Sequence, residues 1–564
     1  MCQQFYLPIG LFYPYNRIVL VLYVKEVSGL TIQEQTISRN ELHKPFSIPR
    51  ILLLLRNEPI LTTLFILGIF IRIYGIAAFP AGLNQDEASI GYDAFAILNY
   101  GIDRNGSFLP IHLIAWGSGQ NALYAYFSMP FIWLFGLNAF SIRIVSALAG
   151  VATLFLFLYA AKRFIPNHRA AVIASFVIVI CPWHIMMSRW ALESNLLPAL
   201  VLLAVCFALK ALNNPKWLFA FSAVMAISLY AYGTAYFFVP LFVISIYALF
   251  IIKRLITVWQ LAANVIAAFV LGIPIALFVL INRLSSDAIH AVFTIPKLTV
   301  PRVESVSSVF GSEMISSSFH NMKRFLEIII SQNDGLLWNA IPTYGYMYPI
   351  ALPLIVLGLA VTAKLLKSKL DAAQLIIMLW LVFAISLGFI LSDANINRIN
   401  IVFYPLLLLT AAGLAWLIDK EKWLGRLAVV MLAGYFLFFT NYYFKEYPKQ
   451  IGPMFFEGLG EAIQYASDAT DGTVYITDKI NMPYIYVLVN EKVNPHDFMD
   501  TVVYSNPGGA FQQVQSFGRY RFGQPVIQEG EKAAYLMSSG DALPEDISKY
   551  KVKHFKQYLV LTER

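Results

Sequence analysis

Charge is what this chain has least of. Only 13% of its 564 residues are Asp, Glu, Lys or Arg, about half the roughly 25% of a soluble domain. That shortage excludes a solvated globular protein. Cysteine is scarce as well. Cys2 is terminal, and Cys181 and Cys206 fall in or beside apolar runs. Neither disulfides nor a thiolate metal site is expected. The chain has no Walker loop, no dinucleotide fingerprint and no zinc-like spacing, which removes soluble nucleotides as expected substrates. It has no internal repeat and no low-complexity tract.

What fills the chain is apolar: 58% of residues are hydrophobic and the mean hydropathy is +0.64. Apolar runs near the length that crosses a hydrocarbon core as a helix recur throughout. They lie at about 59–79, 141–163, 170–187, 195–212, 216–233, 235–252, 260–281, 347–364, 372–391, 398–418 and 427–443. The reading is a polytopic α-helical membrane protein with about 11 crossings, or 13 if two further segments cross. The net charge of +8 comes from short basic clusters between apolar segments, so it points to cytoplasmic loops and not to nucleic acid. Every second gap is basic, from Lys44, Arg50 and Arg56 through Lys364, Lys367 and Lys369 to Lys420, Lys422 and Arg426. One topology satisfies all of them: N-terminus inside and C-terminus outside. The stretch 122–136 is short and interrupted by Pro130, so it is expected to be re-entrant or interfacial.

This divides the chain into an N-terminal cytoplasmic or interfacial extension (1–57), a transmembrane domain (58–444) with outer loops at 80–120 and 282–346, and a small extracytoplasmic α/β domain (445–564). In the tail, 457–469 reads as helix, while 473–477, 533–537 and 557–561 read as strands. Gly508-Gly509 marks a turn.

The chemistry-bearing residues gather at the expected outer ends of helices. Asp86 and Glu87 follow the first apolar segment, after Asn84, which can cap a short helix. Acids favour helix N-termini on structural grounds alone. That does not account for their place where the chain leaves the bilayer. A carboxylate held there can act as a general base toward a substrate delivered from the lipid. His184, Arg189 and Glu193 crowd one short turn. Arg189 can neutralise a phosphate or pair with Glu193 four residues on. Arg398 opens the tenth crossing, where it either binds an anion or snorkels. Gln120 and Asn121 follow a glycine pair, and with Tyr92, His184 and Glu193 they complete the expected substrate pocket. A divalent metal near Asp86 stays open.

Several stretches together resemble the bacterial branch of the protein O-mannosyltransferase superfamily, which includes the aminoarabinose lipid A transferases. The stretches are Asp86-Glu-Ala-Ser-Ile-Gly-Tyr92 through Gly101, Leu123-Tyr124, Phe135-Gly136, Arg143 with Ala147-Leu-Ala-Gly150, Ser188 to Asn195, and Asn397-Arg-Ile-Asn400 with Pro405. The resemblance implies the GT-C membrane fold and an inverting glycosyltransferase of the plasma (inner) membrane. It further implies a polyprenyl-phosphate sugar as donor, an acceptor on the extracytoplasmic face and Asp86 as base with Glu87 beside it. The chain departs from the lipid A branch at Gly119-Gln120-Asn121, where that branch carries a Glu-Lys-Pro-like stretch. The missing lysine argues against lipid A as acceptor and leaves Arg189 and Arg398 to meet the donor phosphate. The competing readings are a lipid or glycan flippase, which would place charges at mid-membrane, and an oligosaccharyltransferase, whose Trp-Trp-Asp sequence is missing here.

Overall fold

A computed structural model of the protein describes residues 58–564 apart from 168, 301–313, 369, 525–526, 528–530 and 564, together with the backbone of three strands nearer the N-terminus. The chain forms two compact units, Met1–Pro59 and Ile60–Arg564. In the first, Tyr6–Pro8, Ile18–Glu26 and Gly29–Ile37 make an antiparallel sheet, with Ile18 opposite Ile37 and Glu26 opposite Gly29. The rest of the expected N-terminal extension lies outside the described residues, as do Lys44, Arg50, Arg56 and Lys369.

The second unit is helical for most of its length. Among the described residues eight helices are long and apolar enough to cross a membrane: Ala139–Phe164, Glu193–Ala211, Ala235–Ile252, Val258–Leu284, Ala351–Ser368, Ala372–Phe389, Ile396–Lys420 and Lys422–Lys445. Pro59–Ile73, Leu123–Phe135, Ala170–Ile180 and Trp217–Ser228 are apolar but shorter. The chain is thus a multi-pass membrane protein. Leu123–Phe135 has 13 residues and contains Pro130. At 1.5 Å per residue it is about 20 Å long, short of the roughly 30 Å hydrocarbon core.

Small residues set how these helices meet, as expected where lipid gives no hydrophobic drive to association. A methyl group on Gly358 would overlap the Leu409 carbonyl oxygen, and one on Gly413 would overlap that of Leu354. The Ala351–Ser368 and Phe403–Lys420 helices therefore cross backbone to backbone. Gly91 makes room instead for the Ile142 side chain.

Residues 459–563 add a seven-stranded mixed sheet. Its order is Tyr550–Phe555, Tyr558–Glu563, Ala533–Ser538, Thr473–Ile476, Tyr520–Phe522, Val514–Phe517 and Val503–Tyr504. Thr473–Ile476 is flanked by parallel partners on both sides. The Leu459–Ala469 helix and the strands near 473, 533 and 558 stand where the sequence puts them. The Val514–Phe517, Tyr520–Phe522 and Tyr550–Phe555 strands and the Pro483–Asn490 helix are additions. Lys551, Lys553 and His554 break the apolar run that usually marks a strand.

This α/β region does not hang free. Leu83 N donates to Phe455 O at 2.6 Å, Gln512 N to Trp116 O at 2.8 Å, and Tyr92 Oη to Val493 O at 2.7 Å. It is joined to the 80–120 segment at Leu83, Tyr92 and Trp116.

The charge pattern predicts which loops face which side. In whole cells, a cysteine at exposed Ser505 should react with an impermeant maleimide, and one at exposed Ser368 should react only after permeabilisation. Ser118 is buried and would not report. The reverse labelling pattern would invert the topology.

Candidate active site

Asn84 begins the site. Its side chain accepts from Asp86 N at 2.8 Å, and its own N–H donates to Glu87 Oε2 at 3.0 Å. This capping box starts the Gln85–Tyr100 helix, which Gly101 ends at φ 75°. The two adjacent acids then diverge. Asp86 stays partly exposed, whereas Glu87 is completely buried.

Glu87 is enclosed by donors. Arg143 Nε reaches Oε1 at 2.7 Å and Nη2 reaches Oε2 at 2.7 Å, a bidentate pair. Ala191 N donates to Oε1 at 2.8 Å. Arg143 in turn donates to the carbonyls of Ile76, Pro80 and Gly82 at 3.2, 2.8 and 2.7 Å. One buried ion pair thus ties together the exit of the first helix, the start of the Gln85–Tyr100 helix, the Ala139–Phe164 helix and the 188–195 turn. Expected at the reacting centre, Glu87 here holds Asp86 in place. Arg143 belongs to the same network. The sequence offers its position in an apolar helix as a signal, since a lone arginine there needs a partner.

Two further candidates are packed inside the protein. Arg189 is fully buried and donates to the carbonyls of Ile71, Tyr74 (2.6 Å) and Phe79 (3.2 Å). Its guanidinium also lies 5.1 Å from the Phe444 ring. In this arrangement it caps the end of the first helix. His184 is fully buried, with Nδ1 accepting from Arg72 Nε at 2.9 Å and Nε2 lying 2.8 Å from Thr153 Oγ1. That locks it in the core.

The remaining candidates are held by other partners. Gln120 Oε1 accepts from Ser89 Oγ at 2.8 Å, one turn along from Asp86. Asn121 N donates to Glu193 Oε2, and Asn121 Nδ2 lies 3.4 Å from Tyr236 Oη. Tyr92 faces the α/β region through its bond to Val493. Arg398 pairs within its own turn. Its Nη1 donates to the Asp393 carbonyl and carboxylate, both at 2.6 Å, while Asp393 is 74% exposed. Among the described residues no three His, Cys, Asp or Glu side chains group as a metal would need.

Two features are new. Tyr486, on the Pro483–Asn490 helix, is 1% exposed and its hydroxyl makes no hydrogen bond. Burial pushes its phenol well above the ordinary value, and the Asp86 charge adds to the shift. Next to this lies a buried acidic pair. Asp103 Oδ1 accepts from Asn105 N and Ser107 N, both at 2.9 Å. Asp93 meets Arg104 at 3.2 Å, and Arg104 stacks 4.5 Å over Trp116. Burial, with Asp93 beside it, pushes the Asp103 carboxyl up to about 7, and burial raises Asp93 too. The acids at 93 and 103 are visible in the sequence, but the approach of Tyr484 to Asp93 and of Tyr484 and Tyr504 to Arg104 across the α/β seam is not.

No family model matches the chain, and no curated protein sequence matches it. Solved structures do. ArnT from Cupriavidus metallidurans bound to undecaprenyl phosphate aligns at TM-score 0.51 and 12% identity, over 89% of this chain and 97% of that one. The same protein in the apo state aligns at TM-score 0.51 and 13% identity over the same shares. An oligosaccharyltransferase from Archaeoglobus fulgidus in complex with zinc and sulfate aligns at TM-score 0.46 and 11% identity, over 76% of this chain and 61% of that one. At these identities the ArnT likeness shows a shared fold, the GT-C membrane fold.

Two predictions follow from the geometry. Arg143→Ala leaves the Glu87 charge buried and unpaired, which costs about 3–5 kcal/mol. The detergent-purified variant should unfold well below the wild-type temperature, and Arg143→Lys should rescue it only in part because lysine cannot make the bidentate pair. Wild-type thermal stability in Arg143→Ala would remove the pair from its central place. The second prediction concerns pH. A carboxyl whose folded pKa is raised favours the protonated form. Its stabilising share is full below the unfolded value of 3.8 and is lost as pH rises toward 7. Asp93 has the same sign; Arg104, Tyr92 and Tyr484 face it, and Tyr126 and Arg104 face Asp103. Between pH 4.5 and 7.5 the wild type should lose more thermal stability than Asp103→Asn, whose amide stays neutral. Identical pH slopes for the two proteins would contradict this assignment.

Proposed function

We propose that the protein is an inverting glycosyltransferase that takes a sugar from a polyprenyl-phosphate donor and passes it to an acceptor hydroxyl on the extracytoplasmic face. The observation that carries this reading is the position of Asp86. It is partly exposed on the first turn of a helix whose neighbouring acid is locked away by Arg143. The shared fold with ArnT, described bound to undecaprenyl phosphate, supports the donor class.

The chemistry follows from the residues. Asp86 takes the proton of the acceptor hydroxyl. The resulting oxygen attacks the anomeric carbon from the face opposite the phosphate, and the carbon–oxygen bond to phosphate breaks. The electron pair leaves with the polyprenyl phosphate, which needs no proton but does need positive charge nearby. With Arg189 turned inward, Arg398 is the candidate for that charge. Its side chain is near the surface, and its carboxylate partner is exposed enough for a phosphate to displace it. Gln120, Asn121 and Glu193 lie close enough along the same loops to line the sugar side. In this reading the chain crosses the inner membrane eleven times, with the three shorter helices at 59, 170 and 217 completing the count and the α/β region outside.

Asp86→Asn keeps size and polarity and removes the base. In detergent with a panel of polyprenyl-phosphate sugars, transfer should fall by about 10²-fold or more, with the melting temperature unchanged. Arg398→Ala should raise KM for the lipid donor more than it lowers kcat. Wild-type transfer by Asp86→Asn would sink the reading.

A further inference from the structure

The Met314–Ser331 helix has three faces, and a helix docked on a protein in water needs two. Residues at i, i+4, i+7 and i+11 share one sector of a helix. Asn321, Phe325 and Ile328 fall in one sector and are buried against the rest of the unit. His320, Arg324, Glu327 and Ser331 fall in a second, exposed and polar, where Arg324 pairs with Glu327 at 3.7 Å. The third sector is exposed and apolar. Phe319 is 70% exposed, Leu326 46% and Ile330 66%, and Lys323 lies among them.

An exposed apolar stripe of this kind asks for a cover, and the fold indicates which. Phe325 packs against Gly388, where an added methyl would come within 2.8 Å of its ring. Asn321 Nδ2 reaches the Phe389 carbonyl at 3.4 Å. Both partners stand at the end of the Ala372–Phe389 span. On that span Val382 is 55% and Phe389 44% exposed. The apolar surface that the span offers to lipid therefore continues to the level of this helix. The same medium covers both.

We infer that the Met314–Ser331 helix is an interfacial helix. It lies along the membrane surface with Phe319, Leu326 and Ile330 in the acyl-chain boundary and with His320, Arg324 and Glu327 toward water. Lys323 reaches from the apolar sector to the headgroups along its four-carbon stem. A stripe one side chain wide, continuous with a lipid-facing span, fits a bilayer better than a second protein. The arrangement also sets a depth. Arg324 Nη2 donates to the Asp334 carbonyl at 3.2 Å, and the Asp334 carboxylate accepts from Ile396 N at 2.8 Å. The turn that bears Arg398 is thereby held at headgroup level.

The test needs no activity and no knowledge of the substrate. Single cysteines are placed at Phe319, Leu326 and Ile330, and separately at His320, Arg324 and Ser331, in a Cys2→Ser background. Cys181 and Cys206 are buried. Each is labelled with a polarity-sensitive fluorophore in the full chain, reconstituted in phosphatidylcholine vesicles. Spin-labelled lipid should quench the first three at least twofold more than the second three, and aqueous iodide should show the opposite preference. The two sets share one helix, so each controls for the folding of the other. Equal iodide quenching at all six positions overturns the proposal, as does equal lipid quenching at all six. Protection of the first three from both quenchers, with disulfide cross-linking between copies, would make the stripe a protein interface and overturn it as well.

Discussion

The Glu87–Arg143 pair is the contact on which the rest of this site depends. Burying two charges is expensive, and the expense is recovered only where every donor and acceptor finds a partner. Here that condition draws in the chain from four places. Carbonyls at 76, 80 and 82 and backbone N–H groups at 84 and 191 all converge on two side chains. The pair thereby fixes the path by which the chain leaves the first helix. It also separates the roles of two neighbouring carboxylates. One is surrounded by donors and holds the helix, and the other is carried at its first turn with access to solvent.

The α/β region extends this framework from the opposite side. Phe455 meets the backbone at Gly82 and Leu83, where φ of +79° and the carbonyl pressed against the glycine leave no room for a side chain. Tyr484 packs edge-on to Trp116 at 6.0 Å, and Tyr486 lies against Phe456 at 5.3 Å. The Gln85–Tyr100 helix is thus gripped between membrane helices and a folded sheet. Asp86 therefore sits on a packed helix and not on a free loop.

How much of this could be read beforehand depended on distance along the chain. The Asn84 cap and the acids after it are local, and a few residues of sequence sufficed. The apolar segments were legible because hydrocarbon imposes one length on all of them. Arg189 was not legible. In a short turn with Glu193 at i+4 it had a visible local partner and a plausible anionic ligand. Its actual acceptors are carbonyls of residues 71, 74 and 79, more than a hundred positions away. His184 misled for the same reason, its partners being Arg72 and Thr153. Backbone carbonyls carry no sequence signature, so a cation that they satisfy looks like one awaiting a ligand. The strand Tyr550–Phe555 was hidden differently, because Lys551, Lys553 and His554 face away from the core and mask its periodicity.

The crossing at Gly358 and Gly413 bears on how the molecule is made. Each glycine lies against a carbonyl of the other helix, so the contact exists only when both helices are in the membrane and in register. During synthesis the Ala351–Ser368 helix enters first and waits, its notch filled by lipid tails, while the Ala372–Phe389 helix follows. The Phe403–Lys420 helix must then displace that lipid and find a fit with no tolerance for even a methyl group. Docking of these two helices is therefore a search inside the bilayer between elements already inserted, and its outcome is decided by the absence of two side chains.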